Sequence, residues 1–204
     1  MNKPAQFKFA ALFLAAYLAL LGLSLQFGRY YVELLLPLYR WEIGGLSPGY
    51  HINSLALADN RGEAVVALTL GLVRDIVVAG HLLPSGGSIS SSTLAGHALQ
   101  HPLLMLSLLA AWPAAGISRR IALLAIAVPF LLLVEMLDVP LVLLGSIEDL
   151  ILANVAPGTT AFLVVWMDFL NGGGRLALSI AAALAAVGFG RMLAALPGRV
   201  RDAD

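Results

Sequence analysis

The sequence predicts a mainly α-helical membrane protein: about four transmembrane helices, with a small extracytoplasmic β-rich insertion between the first and the second. Three observations predict it. The chain is 60% hydrophobic and 12% charged over 204 residues, with a mean hydropathy of +0.90. A soluble domain carries roughly twice that charged fraction. Two long apolar runs, 102–116 and 121–145, flank the basic link Ile117-Ser118-Arg119-Arg120. Such a pair reads as a helical hairpin with its turn in the cytoplasm. The stretch 28–100 holds nine charged residues and reads instead as short strand-length pieces.

The first element is the apolar run 9–27, preceded by Lys3 and Lys8. A basic start before an apolar core fits a cleaved signal peptide as well as a helix. The core is roughly 18 residues long, against 7–15 for a signal. Leu25-Gln26-Phe27-Gly28 is also a poor cleavage site. The expectation is an uncleaved first transmembrane helix within 1–27.

An extracytoplasmic amphipathic and β-rich element is expected over 28–95. Segment 29–43 carries Tyr30, Tyr31, Tyr39 and Trp41, residue types that settle at the headgroup level. It either lies in the interface or prolongs the first helix until Pro37 interrupts it. Three strands are expected at 51–58, 63–72 and 76–83. Asp59-Asn60-Arg61-Gly62 and Arg74-Asp75 separate them as turns. The alternative makes 63–83 a membrane helix. It would bury Glu63, Arg74 and Asp75, at about 3 kcal/mol for each charge near a helix centre. The Ser/Gly-rich stretch 84–93 reads as a connector.

The transmembrane hairpin covers 96–145, with helices at about 96–115 and 119–145. An extracytoplasmic loop follows at 146–173. It carries a short surface helix at 146–158, with Glu148 and Asp149 in its first turn, ending before Pro157. Its later part, 159–170, is too short to cross and reads as interfacial or re-entrant. The last transmembrane helix and a cytoplasmic tail occupy 174–204. Ala181, Ala185 and Gly188 suit close helix packing there. Lys3, Lys8, Arg119, Arg120, Arg191, Arg199 and Arg201 then share one side. That is expected to place both termini of a multi-pass protein in the cytoplasm, and heavy Ala, Leu, Gly and Arg usage points to a bacterial source, hence to the inner membrane.

Few groups are candidates for chemistry. Glu135 and Asp138 lie three residues apart, hence on one helix face. Intramembrane carboxylates are costly and face protein or water. Counted from Arg120, Glu135 lies about 22 Å along its span. Asp138 then sits near the outer boundary, with Pro140 marking the helix end. The pair is either a boundary feature or a functional proton or cation site. Arg175 is the expected counter-charge, by an Arg–carboxylate fork to Glu135 or Asp138. Asp168, seven residues before it, is the alternative partner. Asn171-Gly172-Gly173-Gly174 reads as a tight turn or a close backbone approach. It lacks the Lys-Ser/Thr and the preceding strand of nucleotide loops. Backbone amides there, with Arg175, could instead hold a lipid-linked phosphate. His97 and His101 have a two-ligand spacing, but no third ligand is evident and HExxH is absent, so they are weak metal candidates.

Exclusions are clear. There is no cysteine, so disulfides, thiolate metal sites and cysteine nucleophiles are absent. The formal net charge is zero, which offers no basic surface for nucleic acid. No cofactor motif is present. The halves do not repeat, so the inverted-repeat sign of a secondary transporter is missing.

PLYRWEIGGLSPGY at 37–50, VVALTLGL at 65–72 and WMDFLNGGGRLAL at 166–178 carry a resemblance that covers nearly the whole chain. The sequence resembles the exosortase H-associated membrane proteins. These accompany exosortases, the bacterial membrane transpeptidases that sort envelope proteins. The resemblance implies an accessory protein and, as partner, a membrane transpeptidase of the exosortase type. Exosortases themselves use a catalytic cysteine with arginine and histidine, so this cysteine-free chain cannot be one. The leading expectation is thus a non-catalytic integral membrane accessory protein, in contact with the lipid bilayer and such a partner. Two others remain open. One is a membrane enzyme or carrier for an anionic lipid-linked substrate, using Arg175 and the Asn171–Gly174 turn. The other is a proton-coupled transporter using Glu135.

Overall fold

The computed structural model describes residues 3–78, 80–113 and 116–195. The element order is α1 (Lys3–Leu46), β1 (Tyr50–Asn60), β2 (Glu63–Leu72), β3 (Ile76–Val78), β4 (His81–Leu83), β5 (Ser88–Leu94), α2 (Ala95–Ala111), α3 (Ile117–Val155), α4 (Phe162–Phe169), a wide π-turn (Leu170–Gly174) and α5 (Arg175–Ala195). Among the described residues, three helical stretches are long and apolar enough to cross a membrane: Lys3–Leu46, Ile117–Val155 and Phe162–Ala195. Three of the about four expected spans thus have helices of membrane-crossing length and composition. The helix expected at 96–115 is only Ala95–Ala111, 17 residues, or roughly 26 Å at 1.5 Å per residue.

The long helices run past the expected boundaries. α1 does not stop at Pro37; it continues as one 44-residue helix. Pro37 removes one backbone donor and lies on the exposed side. Val32, Leu35, Tyr39 and Ile43 form a buried stripe on both sides of it, and that packing outweighs the lost bond. α3 likewise passes through Pro140, which does not mark its end, and absorbs the surface helix expected at 146–158. The reason is again a continuous buried face, Val139, Leu143, Ile147 and Ile151.

Two compact units are built from these elements. One comprises Ser24–Leu99 and Glu135–Arg175. Its sheet is antiparallel in the order β1-β2-β5. β2 is central, and Val66, Leu68, Leu70 and Leu72 on it are buried at alternate positions. That face packs on Val32, Leu35, Tyr39 and Ile43 of α1 and on Val139, Leu143 and Ile147 of α3. The β1–β2 hairpin turns at Arg61 (φ 54°) and Gly62 (φ 85°), two positive φ values in succession as a primed hairpin turn requires. The Asp59 carboxylate accepts the Gly62 amide at 3.0 Å.

The reading of 63–72 as strand matches the structure, so 63–83 is not a membrane helix. Two strand details differ. The expected 76–83 strand is a hairpin, β3–β4, whose turn includes Gly80 at φ 82°. The expected 84–93 connector is half strand. β5 supplies the second edge that β2 needs, and Ser91 Oγ ties it to α3 by donating to the Leu143 carbonyl at 3.0 Å.

The other unit comprises Met1–Leu23, Gln100–Val134 and Leu176–Asp204. Its core is Met105 and Leu109 of α2, Leu123, Ala127 and Val134 of α3, and Ala182, Ala183, Ala186 and Val187 of α5. Leu14, Leu18, Leu124, Val128, Leu184 and Met192 stay exposed, as lipid-facing side chains do. The packed face of α5 is not the expected Ala181, Ala185 and Gly188, which are exposed. It is the neighbouring stripe at 179, 182–183 and 186–187.

Candidate functional site

The polar centre of the sheet-bearing unit is built on one face of α3. Three residues make a little under one helical turn, so Glu135 and Asp138 project the same way. Both are fully buried, and Arg175 is 4% exposed. Glu135 is held from α1. Tyr31 Oη donates to its Oε1 at 2.8 Å and Tyr39 Oη to its Oε2 at 2.7 Å. The two tyrosines are eight residues, about 12 Å, apart along their helix, so their rings converge on one carboxylate.

Asp138 is held from the start of α5. Arg175 Nε donates to Asp138 Oδ2 at 2.7 Å, and Nη1 donates to Asn171 Oδ1 at 2.9 Å. The π-turn makes this arrangement. Gly173 has φ 111°, which an L side chain rarely adopts. A Cβ on Gly174 would lie 2.5 Å from the Phe169 ring and 2.7 Å from the Phe169 carbonyl oxygen. The glycines thus serve a strained turn and a close approach. Gly172 has open space around it.

A third tie is Trp166 Nε1, which donates to the Leu137 carbonyl at 2.7 Å. Pro140 lacks an N–H and crowds the preceding turn of α3, and Trp166 of α4 caps a carbonyl there. α4 also approaches α3 closely. A Cβ on Gly145 would lie 2.7 Å from the Leu163 carbonyl oxygen.

The structure therefore brings Glu135, Asp138 and Arg175 into one buried region, with the exposed Asn171 at its edge. Asp168 is exposed and α4 carries it elsewhere. The choice between Asp138 and Asp168 as partner of Arg175 falls to Asp138. The histidines go separate ways: His97 Nδ1 lies 3.1 Å from Thr93 Oγ1, and His101 Nδ1 lies 2.8 Å from Ser179 Oγ. No group of three metal-ligating side chains occurs among the described residues.

Tyr31, Tyr39 and Trp166 are the members that sequence reasoning missed. Tyr30 and Trp41 are exposed, as interfacial aromatics would be, but Tyr39 is fully buried. The signal was present. Tyr39 continues the Val32, Leu35, Ile43 stripe at helical spacing, which places it on the core face rather than at the headgroups. Asn171 could have been paired with Arg175 by its i, i+4 spacing.

Chemically, the arrangement ties α1, α3 and α5 together through charge-assisted hydrogen bonds. Ions buried this way cost several kcal/mol each to desolvate, so their geometry must be well satisfied.

No family model, curated protein or solved structure matches this chain.

Proposed function

We propose that the chain is a non-catalytic membrane accessory protein of the bacterial inner membrane, and that it binds a membrane transpeptidase of the exosortase type. The observation that carries a binding role is the β3–β4 hairpin with its flank. Val73, Val77 and Leu82 expose large apolar side chains there, on a small element held to the sheet-bearing unit. Two such residues on one short hairpin, with Val73 just before it, are a contact surface rather than scattered exposure. The polar network supports the same reading from the other side. Arg175 and the two carboxylates are buried against protein groups and serve to register the helices. The partner's class rests on the resemblance of segments 37–50, 65–72 and 166–178.

In this reading α2 and α3 form a hairpin with its basic turn in the cytoplasm, α2 being a short fourth span. Both termini are cytoplasmic, and the sheet faces the extracytoplasmic side. Single cysteines at Ser90, Ser118 and Thr159 test it in the cysteine-free background. An impermeant thiol reagent added outside should label Ser90→Cys and Thr159→Cys but not Ser118→Cys.

Binding is tested in cells of the native host with a photo-crosslinking residue at Val77 or Leu82. The expected result is a discrete adduct with a transpeptidase-type membrane protein, lost in Leu82→Asp. Adducts with lipid alone would overturn the binding role.

A further inference from the structure

The unit that contains residues 100–134 has an unbalanced charge. Its described residues include Lys3, Lys8, Arg119, Arg120 and Arg191 but no aspartate or glutamate. Charges in a membrane protein need partners, and among the described residues of this unit no acidic side chain supplies one.

Four of these cations border two grooves that share Trp112 and Pro113. The first groove, about 320 Å³, has walls of Leu123, Ile126 and Val187, with Arg119 and Arg191 among its lining residues. Gly190 lacks the side chain that would fill part of it. The Arg191 guanidinium carbon lies 5.8 Å from the Trp112 ring centre, a cation–π distance that holds the arginine over the groove. The second groove, about 520 Å³, is lined by Phe9 and Leu12 with Lys8 and Arg120. Apolar walls with cations and a half-buried tryptophan are the chemistry of a bilayer interface.

We propose that the Arg119–Arg191 groove is a binding site for an anionic phospholipid. The phosphate takes the two guanidiniums, which suit its oxygens as paired donors. One acyl chain lies along Leu123, Ile126 and Val187. Lys8 and Arg120 reinforce the attraction from the neighbouring groove. Basic pockets between transmembrane helices recognise lipid headgroups by this combination. The apolar wall distinguishes a lipid from a free anion.

The test uses the full chain purified in neutral detergent, with thermal unfolding as the readout. Dioleoylphosphatidylglycerol should raise Tm by several degrees, whereas dioleoylphosphatidylcholine and inorganic phosphate should not. In the Arg119→Ala, Arg191→Ala double variant, the phosphatidylglycerol concentration for half-maximal stabilisation should rise about tenfold or more. Lys3→Ala, outside both grooves, should leave it unchanged. Equal stabilisation by phosphatidylcholine, or by inorganic phosphate, would overturn the assignment, as would an unaltered response in the double variant. Should the double variant not fold, the wild-type protein decides. Native mass spectrometry from mixed micelles must then show phosphatidylglycerol retained over phosphatidylcholine, and equal retention overturns the site.

Discussion

Arg175 and Asp138 meet at 2.7 Å in a buried ion pair, although 37 residues separate them. Each comes from a different helix, and the pair fixes how the start of α5 registers on α3. Removing one partner should leave the other buried and uncompensated. Asp138→Ala is expected to cost about 3–5 kcal/mol of unfolding free energy. The double variant Asp138→Leu, Arg175→Met should recover most of it, because an apolar pair of similar volume avoids the desolvation cost. Denaturant titration in detergent checks both. A loss near that of an exposed pair, about 0–1 kcal/mol, would remove the pair's registering role.

Glu135 accepts from two phenols, so the tyrosines should differ from ordinary buried aromatics. Tyr39→Phe keeps the ring and deletes one donor to a carboxylate, with an expected cost of about 1.5–3 kcal/mol. Tyr31→Phe, at a half-buried site, should cost less. The two changes should not add, since they share one acceptor. A double-mutant cycle measures this, and strict additivity would count against convergence on Glu135.

The glycine run makes three different demands, which alanine substitution separates. Gly172→Ala meets open space and should lie within about 0.5 kcal/mol of wild type. Gly173→Ala forces a side chain to φ 111°, a strain of about 1–2 kcal/mol. Gly174→Ala meets the Phe169 ring and carbonyl and should cost about 1–3 kcal/mol or more. Comparative thermal unfolding gives the order, and a destabilised Gly172→Ala would contradict it.

Acid should loosen the base of the β3–β4 hairpin. The Ser85 amide donates to Asp75 Oδ1 at 2.7 Å, which holds the Asp75 carboxyl below the ordinary aspartate value. A depressed carboxyl stabilises the fold above its unfolded-state pKa, and that contribution is lost as pH falls through the folded-state pKa. Asp75→Asn should therefore lower Tm relative to wild type at neutral pH. The difference should vanish in strong acid. A gap independent of pH would show that the carboxylate's charge is not involved.

What the sequence determined by itself was set by composition and local pattern. Apolar excess with sparse charge called for long apolar helices able to cross a membrane, because a helix satisfies its own backbone in lipid. Asp59-Asn60-Arg61-Gly62 dictated the hairpin turn, and charges at 63, 74 and 75 spoke against a span there. Glu135, Asp138 and Arg175 stood out because ionisable groups in apolar runs are rare. Tertiary structure decided the rest. Pro37 and Pro140 look like helix ends locally, yet buried stripes on both sides carry α1 and α3 through them. Ser88–Leu94 has no core pattern of its own and becomes strand because β2 offers an edge. The selection of Asp138 over Asp168, and of Tyr31 and Tyr39 as partners of Glu135, depends on which helix faces meet. Local propensity does not encode that, because a buried polar group is satisfied by whatever donor the packing delivers to it.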